Sequence, residues 1–474
     1  KRWYRLGANP AGEVFDAMLA GYALDSQRKN FGLPALCEAE GISFNEAAPA
    51  ASLVRVAARQ REALARQNLA PLFFEIEMPL AKVLYDMERE GFQVDDGALM
   101  QLGENYAGRI AELEREIHKH AGTELNVNSP KQLGELLFER LGLKGGKKTK
   151  TGYSTSADVL EQMQDEHPVI PLILEYRKYA KLKSTYVDAL LRLRGADGRI
   201  RTSFDQVATA TGRISSQEPN LQNIPIRTAL GRDIRRAFIA RPGFTLVDAD
   251  YSQIELRVLA HMSGDEVMRE AFRLDQDIHL RTASEVGGVP MDEVTPDMRS
   301  AAKAVNFGIV YGISDFGLAR NIGVTRQQAA QFIERYFERY PLIKKYMDEC
   351  VETGKRQGYV TTLMGRRRYL PELAAGNDFN TRKFGERAAM NSPIQGTAAD
   401  IIKMAMVRVH RELDEGGFRA RLILQVHDEL IIEAPTNEVE KVQALVKRAM
   451  EGVVTLDVPL KVDVSAGQSW YDTK

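Results

Sequence analysis

The sequence predicts a multidomain protein of the α/β (α+β) class, with two helical lobes and one sheet lobe split along the chain. Length is the first reason. The chain has 474 residues, beyond the roughly 250–300 at which a single hydrophobic core stops growing. The second reason is periodicity. Apolar residues recur at helical spacing over most of 72–193 and 263–360. The third is the placement of strand-like patches. They lie near 200–205, 244–250 and within 361–474, so one sheet would receive strands from both sides of a helical insertion.

The elements follow in order. Residues 1–70 are Ala-rich, punctuated by Pro10, Pro34 and Pro49, and read as a small, partly helical segment. A helical stretch covers 72–96 and ends near Gly91. Leu102, Tyr106, Ile110, Leu113 and Ile117 mark a helix over 100–120. Asn126-Val127-Asn128-Ser129-Pro130 is a capping signal before a helix through Leu133, Leu137 and Leu141. The stretch 142–154 reads as a loop carrying Lys144, Lys147, Lys148 and Lys150, and a long helix through 170–193 carries Lys178, Lys181 and Lys183. Residues 72–200 thus form a helical lobe with a lysine-rich tip. A loop-rich segment, 208–227, separates the first strand patches. Helices joined by short turns fill 263–360. Strands and two helices, near 384–414 and 436–452, complete the chain, and no internal repeat is present.

Composition sets limits. At 44% hydrophobic and 27% charged residues, the chain is a folded, soluble type rather than disordered or fibrous. Its 64 Lys plus Arg against 65 Asp plus Glu give a net charge of −1, which argues against a uniformly basic protein. A local basic channel remains compatible with that total. Two distant cysteines, Cys37 and Cys350, speak against a disulfide scaffold or a cysteine-rich zinc site and for a reducing compartment. No apolar run reaches 18 residues, so no membrane span is expected. The start, Lys1-Arg2-Trp3-Tyr4, shows no signal-peptide pattern and no Met, as at a processing boundary.

Two strands carry carboxylates. Leu246-Val247-Asp248-Ala249-Asp250 places Asp248 and Asp250 on one face, because side chains alternate along a strand. Leu422 to Ile432 is an apolar run interrupted by His427-Asp428-Glu429, a hairpin with a polar tip. Such a tip can be a plain turn. It can equally be a functional carboxylate site, since ionisable groups between apolar half-strands are costly unless paired or metal-bound. Carboxylates from two strands repel, and a pair of divalent ions relieves the repulsion. One ion then serves an attacking oxygen and the other a leaving group. Mg²⁺ suits oxygen ligands of this kind.

A helix beginning at Thr295-Pro296 runs to Tyr311, with Gly312 able to end it. Four-residue spacing puts Arg299, Lys303, Phe307 and Tyr311 on one stripe. The cations suit phosphates and the rings suit a base or sugar. A surface cation pair with half-buried aromatics is the alternative. Residues 355–390 hold eight cations (Lys355, Arg356, Arg366, Arg367, Arg368, Arg382, Lys383, Arg387) against Glu372, Asp378 and Glu386, a local net of +5. With the lysine tip, this suggests positive surfaces for backbone phosphates.

These motifs carry a resemblance. Asp250-Tyr251-Ser252-Gln253-Ile254-Glu255-Leu256-Arg257, the run Arg299–Gly312, and Gln425-Val426-His427-Asp428-Glu429 resemble three motifs of bacterial family A DNA polymerases of the DNA polymerase I type, in family order. Thr209-Ala210-Thr211-Gly212-Arg213-Ile214-Ser215-Ser216 and Asn220-Leu221-Gln222-Asn223-Ile224-Pro225 resemble further family segments. The likeness runs from about residue 70 to the C-terminus, more weakly before. It implies a right-hand polymerase with a helical thumb (72–205), an antiparallel-sheet palm (206–262 and 361–474) and helical fingers (263–360), after a remnant of an exonuclease-like domain (1–71). Asp250 and Asp428, with the backbone carbonyl of Tyr251, would hold two Mg²⁺ ions, with Mn²⁺ able to substitute. Asp248 would be a charge behind them, and Glu429 a supporting carboxylate near the primer end.

The same resemblance implies that Arg299, Lys303, Phe307, Tyr311, His279, Glu255 and Gln253 surround the incoming dNTP. Lys303 would also protonate the pyrophosphate. Glu255 would exclude a ribose 2′-OH, and Phe307, lacking a hydroxyl, would discriminate against dideoxynucleotides. Arg213, Asn220, Gln222, Asn223, Arg227, Arg387, Asn391, Gln395 and His427 would contact primer–template DNA. His118, His120 and His167 read as ordinary surface residues. The implied enzyme is a DNA-directed DNA polymerase of replication and repair, acting as a monomer in the bacterial cytoplasm at the nucleoid, away from membranes. Phe15-Asp16-Ala17-Met18-Leu19 with Tyr22-Ala23-Leu24 resembles the middle of a 3′–5′ exonuclease domain. Val56-Ala57-Ala58-Arg59-Gln60 falls where proofreading relatives have Tyr-x-x-x-Asp, and it lacks both the tyrosine and the carboxylate, so no proofreading is expected. A DNA-binding scaffold would not need Asp250 and Asp428. An RNA polymerase or reverse transcriptase should relax Glu255, and a phosphohydrolase would not need the Arg299–Tyr311 stripe.

Overall fold

The computed structural model describes residues 1–7, 14–144, 148–149, 152–226 and 228–474. Pro10, Lys147, Lys150 and Arg227 lie outside the described residues. The chain divides into two compact units, the first made of Lys1–Glu90, Ser203–Gln217 and Gly243–Ala466, the second of Gly91–Thr202, Glu218–Pro242 and Gly467–Lys474.

The first unit contains a four-stranded sheet in the order Arg421–Val426, Glu429–Pro435, Phe244–Tyr251, Val462–Gly467. Its two central strands are almost wholly buried, which explains why Leu246-Val247 and Leu430-Ile431-Ile432 follow without polar alternation: a strand covered on both faces has no reason to alternate. They pair antiparallel, Ile431 opposite Asp248 and Glu429 opposite Asp250, so the acidic residues from both collect at one end of the sheet. A 37-residue helix, Phe379–Glu415, packs on Arg421–Val426, and Val439–Glu451 packs on Phe244–Tyr251.

Seven helices follow the carboxylate strand, from Ile254–Ser263 to Pro341–Gln357. Turns between them can be short because most starts are capped locally. Asp265, Asp277, Thr295, Ser314 and Thr325 each accept a backbone N–H from the first turn, worth about 1 kcal/mol apiece. The N-terminal segment is helical at Ala17–Leu24, Leu33–Ala39 and Pro49–Arg66, and Leu19, Ala20 and Leu64 share a core with Leu72 and Phe73.

The second unit is mainly helical. Asp96–Ala121 and Val169–Leu182 pack around Leu113, Ile117, Leu133, Leu137, Ile170 and Ile173. Phe92, Phe238 and Trp470 form a separate ring cluster. Two loop expectations are corrected by short pairings. Lys148–Thr149 pairs with Gly152–Tyr153 in this unit, and Ser215–Gln217 pairs with Ser203–Asp205 in the first. Two- and three-residue strands leave no periodic signal. Among the described residues no helix is long and apolar enough to cross a membrane.

Candidate active site

The carboxylates meet because a tight hairpin faces a strand end. Val426 pairs with Glu429, leaving His427-Asp428 as the two-residue connection. His427 takes the left-handed conformation (φ 55°) that such turns demand, and its side chain is exposed. The Gln425 amide donates to the His427 carbonyl at 2.6 Å. The backbone N–H of Tyr251 donates to the Asp428 carbonyl at 3.2 Å. Asp428 therefore stands beside Asp250, and Glu429, buried, lies directly across from Asp250. Burial, then the charge of Asp250, pushes the Asp428 carboxyl up to about 7, with Glu255 and Glu429 adding to it. The pair is thus an anionic oxygen site in which Asp250, Glu255 and Glu429 all bear on a buried Asp428. Among the described residues no cluster of three or more His, Cys, Asp or Glu is arranged to hold a metal. Two carboxylates and a backbone carbonyl nonetheless fit a hard cation that completes its shell with substrate phosphates and water.

The turn after this strand is pinned from several sides. Tyr251 buries its ring and donates its hydroxyl to the Met450 carbonyl at 2.7 Å. Ser252 N donates to Lys461 O at 2.9 Å, and Arg257 donates to the carbonyls of Ser252 (2.9 Å) and Pro459 (2.7 Å). Gln253, in the left-handed region, opens the helix Ile254–Ser263, and its buried Oε1 has no hydrogen-bond partner. Asp248 is buried one pleat behind Asp250 on the same face.

Glu255 joins three elements. Its Oε1 accepts from Arg213 Nη2 at 2.6 Å, and its Oε2 accepts from the Tyr311 hydroxyl at 2.9 Å. Burial, then the Glu255 charge, raises the Tyr311 hydroxyl to about 12, so it stays a donor at neutral pH. Tyr311 ends the helix Pro296–Val310. On that helix Ala302, Val305, Asn306 and Ile309 face inward, while Arg299 and Lys303 are exposed and Phe307 is half-buried. Arg299 pairs with Asp277 at 2.7 Å. His279, buried, sits 5.7 Å ring to ring from Phe307 and meets the Asn306 amide through Nδ1 at 3.0 Å. Burial, with Lys303 and Arg299 adding, lowers its imidazole to about 4, so it is neutral at pH 7.

The remaining candidates divide. Arg387, Asn391 and Gln395 follow one another at four-residue intervals along the helix Phe379–Glu415, with Arg387 exposed. Asn391 donates to the Val310 carbonyl at 3.3 Å, and a Cβ on Gly312 would crowd Met390 and Arg387. Asn220, Gln222 and Asn223 belong to the second unit, where Asn220 caps a short turn by accepting from Gln222 N at 3.0 Å, and the Asn223 carbonyl accepts from Tyr186 at 2.5 Å.

The positive surface expected at 355–390 needs correction. Arg366 is buried against Glu77 and Asp400, Arg368 pairs with Glu372, and Lys383 pairs with Glu386. Counting charges along the chain cannot separate a buried guanidinium from a surface one. Sequence reading also passed over Asn306 and Asp277. The Asp277-Ile278-His279 cap was visible in principle as Asp two places before a helical His.

The sequence matches the family model "DNA polymerase family A" over residues 96–472. The chain belongs to DNA polymerase family A. It is 50% identical to DNA polymerase I of Bacillus subtilis (strain 168), over all of this chain and 56% of that protein. It is 49% identical to DNA polymerase I of Geobacillus stearothermophilus, over 99% of this chain and again 56% of the relative. The chain thus spans a little over half the length of these relatives. Among solved structures, the POL domain of Pol1 from M. smegmatis, in complex with DNA primer-template and dNTP, superimposes with a TM-score of 0.94 at 40% identity, covering 99% of this chain and 84% of that one. This family member places its acidic strand end, its Glu255 brace and its basic–aromatic helix in the same unit.

Proposed function

We propose that the chain is a DNA-directed DNA polymerase that adds dNTPs to a primer 3′ end on a DNA template and releases pyrophosphate. The observation carrying this reading is the Asp250–Asp428 pair at one end of the sheet, with Glu255 linking the helix that bears Arg299, Lys303 and Phe307 into the same unit. The M. smegmatis Pol1 domain, with DNA and dNTP bound, supports the partners. Bound at Asp250, Asp428 and the Tyr251 carbonyl, two Mg²⁺ ions would supply neutralising charge and Lewis acidity for phosphoryl transfer.

The protein groups supply the rest. Arg299 and Lys303 take the triphosphate, and Lys303 gives a proton to the leaving pyrophosphate. The primer 3′-hydroxyl gives up its proton to water as its oxygen bonds to the α-phosphorus, and the bond from that phosphorus to the α–β bridging oxygen breaks. Phe307, backed by neutral His279, supports sugar and base. Gln253 directs its unpartnered oxygen to the same nucleotide, and Glu255 bars a 2′-hydroxyl. Tyr311 tests the nascent pair. Arg213, Arg387, Asn391, Gln395 and His427 contact the duplex, joined by Asn220, Gln222, Asn223 and Arg227. Glu429 supports the primer end.

We assign thumb, palm and fingers to 72–205, to 206–262 with 361–474, and to 263–360, with an exonuclease-like remnant at 1–71. Gln60 is buried and donates to the Ala17 carbonyl at 3.1 Å, a structural use that supplies no carboxylate for proofreading. A role in replication and repair at the nucleoid follows from the reading. Primer extension with Mg²⁺, using dNTP, rNTP and ddNTP in parallel, tests it. dNTP addition that is lost in Asp250→Asn and Asp428→Asn, with rNTP and ddNTP poorly used, is expected. An intact protein that adds no dNTP overturns it.

A further inference from the structure

The helix Ala17–Leu24 reaches the loop that carries Arg213. Tyr22, fully buried, donates its hydroxyl to the Thr209 carbonyl at 2.7 Å. Ser26, also buried, places its hydroxyl 3.1 Å from the Ala210 carbonyl and 3.2 Å from the Arg367 carbonyl. Two consecutive carbonyls of one irregular loop are therefore met by side chains from a segment almost two hundred positions earlier.

From beneath, the loop rests on Arg366. A Cβ at Gly212, which takes φ +89°, would lie 2.6 Å from Arg366 Nε, so backbone and guanidinium are in direct contact. Arg366 cannot drift. Its Nε donates to Asp400 at 2.8 Å, it pairs with Glu77, and Lys403 meets the same Glu77 at 2.7 Å. All four charged groups are essentially inaccessible to solvent. Two carboxylates against two cations balance, and each buried charge has a partner of opposite sign. The Tyr22 ring lies 5.7 Å from the Arg366 guanidinium and 5.9 Å from the Lys403 ammonium.

The far end of the loop leads to the site. Thr209 Oγ1 donates to the Arg213 carbonyl at 2.8 Å, Arg213 reaches Glu255 at 2.6 Å, and Glu255 accepts from Tyr311 at 2.9 Å. We propose that Tyr22 and Ser26 are positioning residues of the polymerase site: they fix the Thr209–Arg213 loop on the buried Arg366, so that Arg213 stands at Glu255. The N-terminal helix, within the segment assigned as an exonuclease-like remnant, is then a working part of nucleotide selection. This rests on the polymerase reading for its kinetic consequence, but not for the fixing of the loop.

The test uses the full chain with Tyr22→Phe, which keeps the packed ring, and Tyr22→Phe/Ser26→Ala. Each variant is examined by hydrogen exchange and by single-nucleotide insertion, alone and in an Arg213→Ala background. Exchange of the 208–213 amides should quicken in the variants while the helix Phe379–Glu415 keeps its protection. KM for the correct dNTP should rise about 3–10-fold for the double variant, the loss expected for one or two hydrogen bonds, with kcat changing less. In Arg213→Ala the same substitutions should add nothing to KM. Unchanged exchange at 208–213 overturns the proposal, whatever the activity. A KM increase of equal size with and without Arg213 overturns the route through Arg213. A wild-type chain that adds no dNTP sinks the polymerase reading instead, and exchange still decides the loop.

Discussion

Replacing Asp250 with Asn should stabilise the metal-free protein at pH 8 while, on the proposed reading, abolishing nucleotide addition. The Asp428 carboxyl titrates at about 7 in the folded chain against an ordinary 3.8, from burial first and the Asp250 charge second. The unfolded chain sheds this proton near pH 4, the folded chain only near pH 7. Stability therefore falls as pH rises through that interval, and the whole cost is present above it. About three powers of ten in proton affinity set its upper bound at roughly 4 kcal/mol. Asn at 250 leaves Asp428 buried and removes the neighbouring charge, a gain of about 1–2 kcal/mol at pH 8. For a unit of this size that is roughly 2 °C in melting temperature. At pH 5 Asp428 is already protonated in the folded state, so the gain should shrink towards zero. Calorimetry of both proteins in EDTA at the two pH values measures it. Added Mg²⁺ should then raise the wild-type midpoint more than the variant's, since only the wild type presents both carboxylates. A variant no more stable at pH 8, or equally favoured at both pH values, refutes the picture of an Asp250 charge bearing on a buried Asp428.

Other consequences are as direct. Glu255→Ala removes the acceptor shared by Arg213 and Tyr311, and the ratio of rNTP to dNTP insertion should rise about 10–100-fold, read by competing the two substrates on one primer. Glu77 is held at about 2 with Lys403 and Arg366 beside it, so Glu77→Gln leaves buried cations undercompensated and should cost about 3–5 kcal/mol, measured by urea unfolding at pH 7. His279 is lowered to about 4, chiefly by burial. The unfolded chain binds this proton at about 6.5, so its share of stability is present above that value and is lost as pH falls towards 4. His279→Gln should flatten the acid limb of a melting-temperature profile between those values.

Features of the site written in local sequence were legible without coordinates. The pleat puts Asp248 and Asp250 on one face, the Thr295-Pro296 start fixes the phase of the Arg299–Tyr311 stripe, and two apolar half-strands around His427-Asp428 leave little but a hairpin. These follow from spacings of two, three and four residues. What escaped depends on distance along the chain. Arg366 sits among three consecutive arginines, yet its partners are Glu77 and Asp400, and no period links position 77 to position 366. The signal there was of another kind: Asp400 and Lys403 interrupt an apolar helical run, and charges in such a setting ask for buried partners. Glu255 was recognised through family likeness as a gate, while its service to Arg213 and Tyr311 together needed three separate elements to be brought into contact.

The two ends of the basic–aromatic helix are held by interactions of unequal strength, and this orders how a nucleotide could engage it on the proposed reading. The Arg299–Asp277 pair has side chains 46% and 35% exposed, a setting in which an ion pair is worth about 0–1 kcal/mol. The Tyr311 hydroxyl, on a residue 42% exposed, meets a Glu255 that is only 8% exposed, and a hydrogen bond to a charged acceptor so placed is worth about 1.5 kcal/mol. Asp277 divides its work between its two oxygens. Oδ1 caps the helix Ile278–Gly287 by accepting from His279 N and Leu280 N, and Oδ2 takes Arg299. Arg299 can therefore leave for a phosphate without uncapping the helix that carries His279. A triphosphate would be gripped first at the Arg299 end at little cost. The Tyr311 end would yield only when a base pair replaces what Glu255 gives it, which places discrimination after capture.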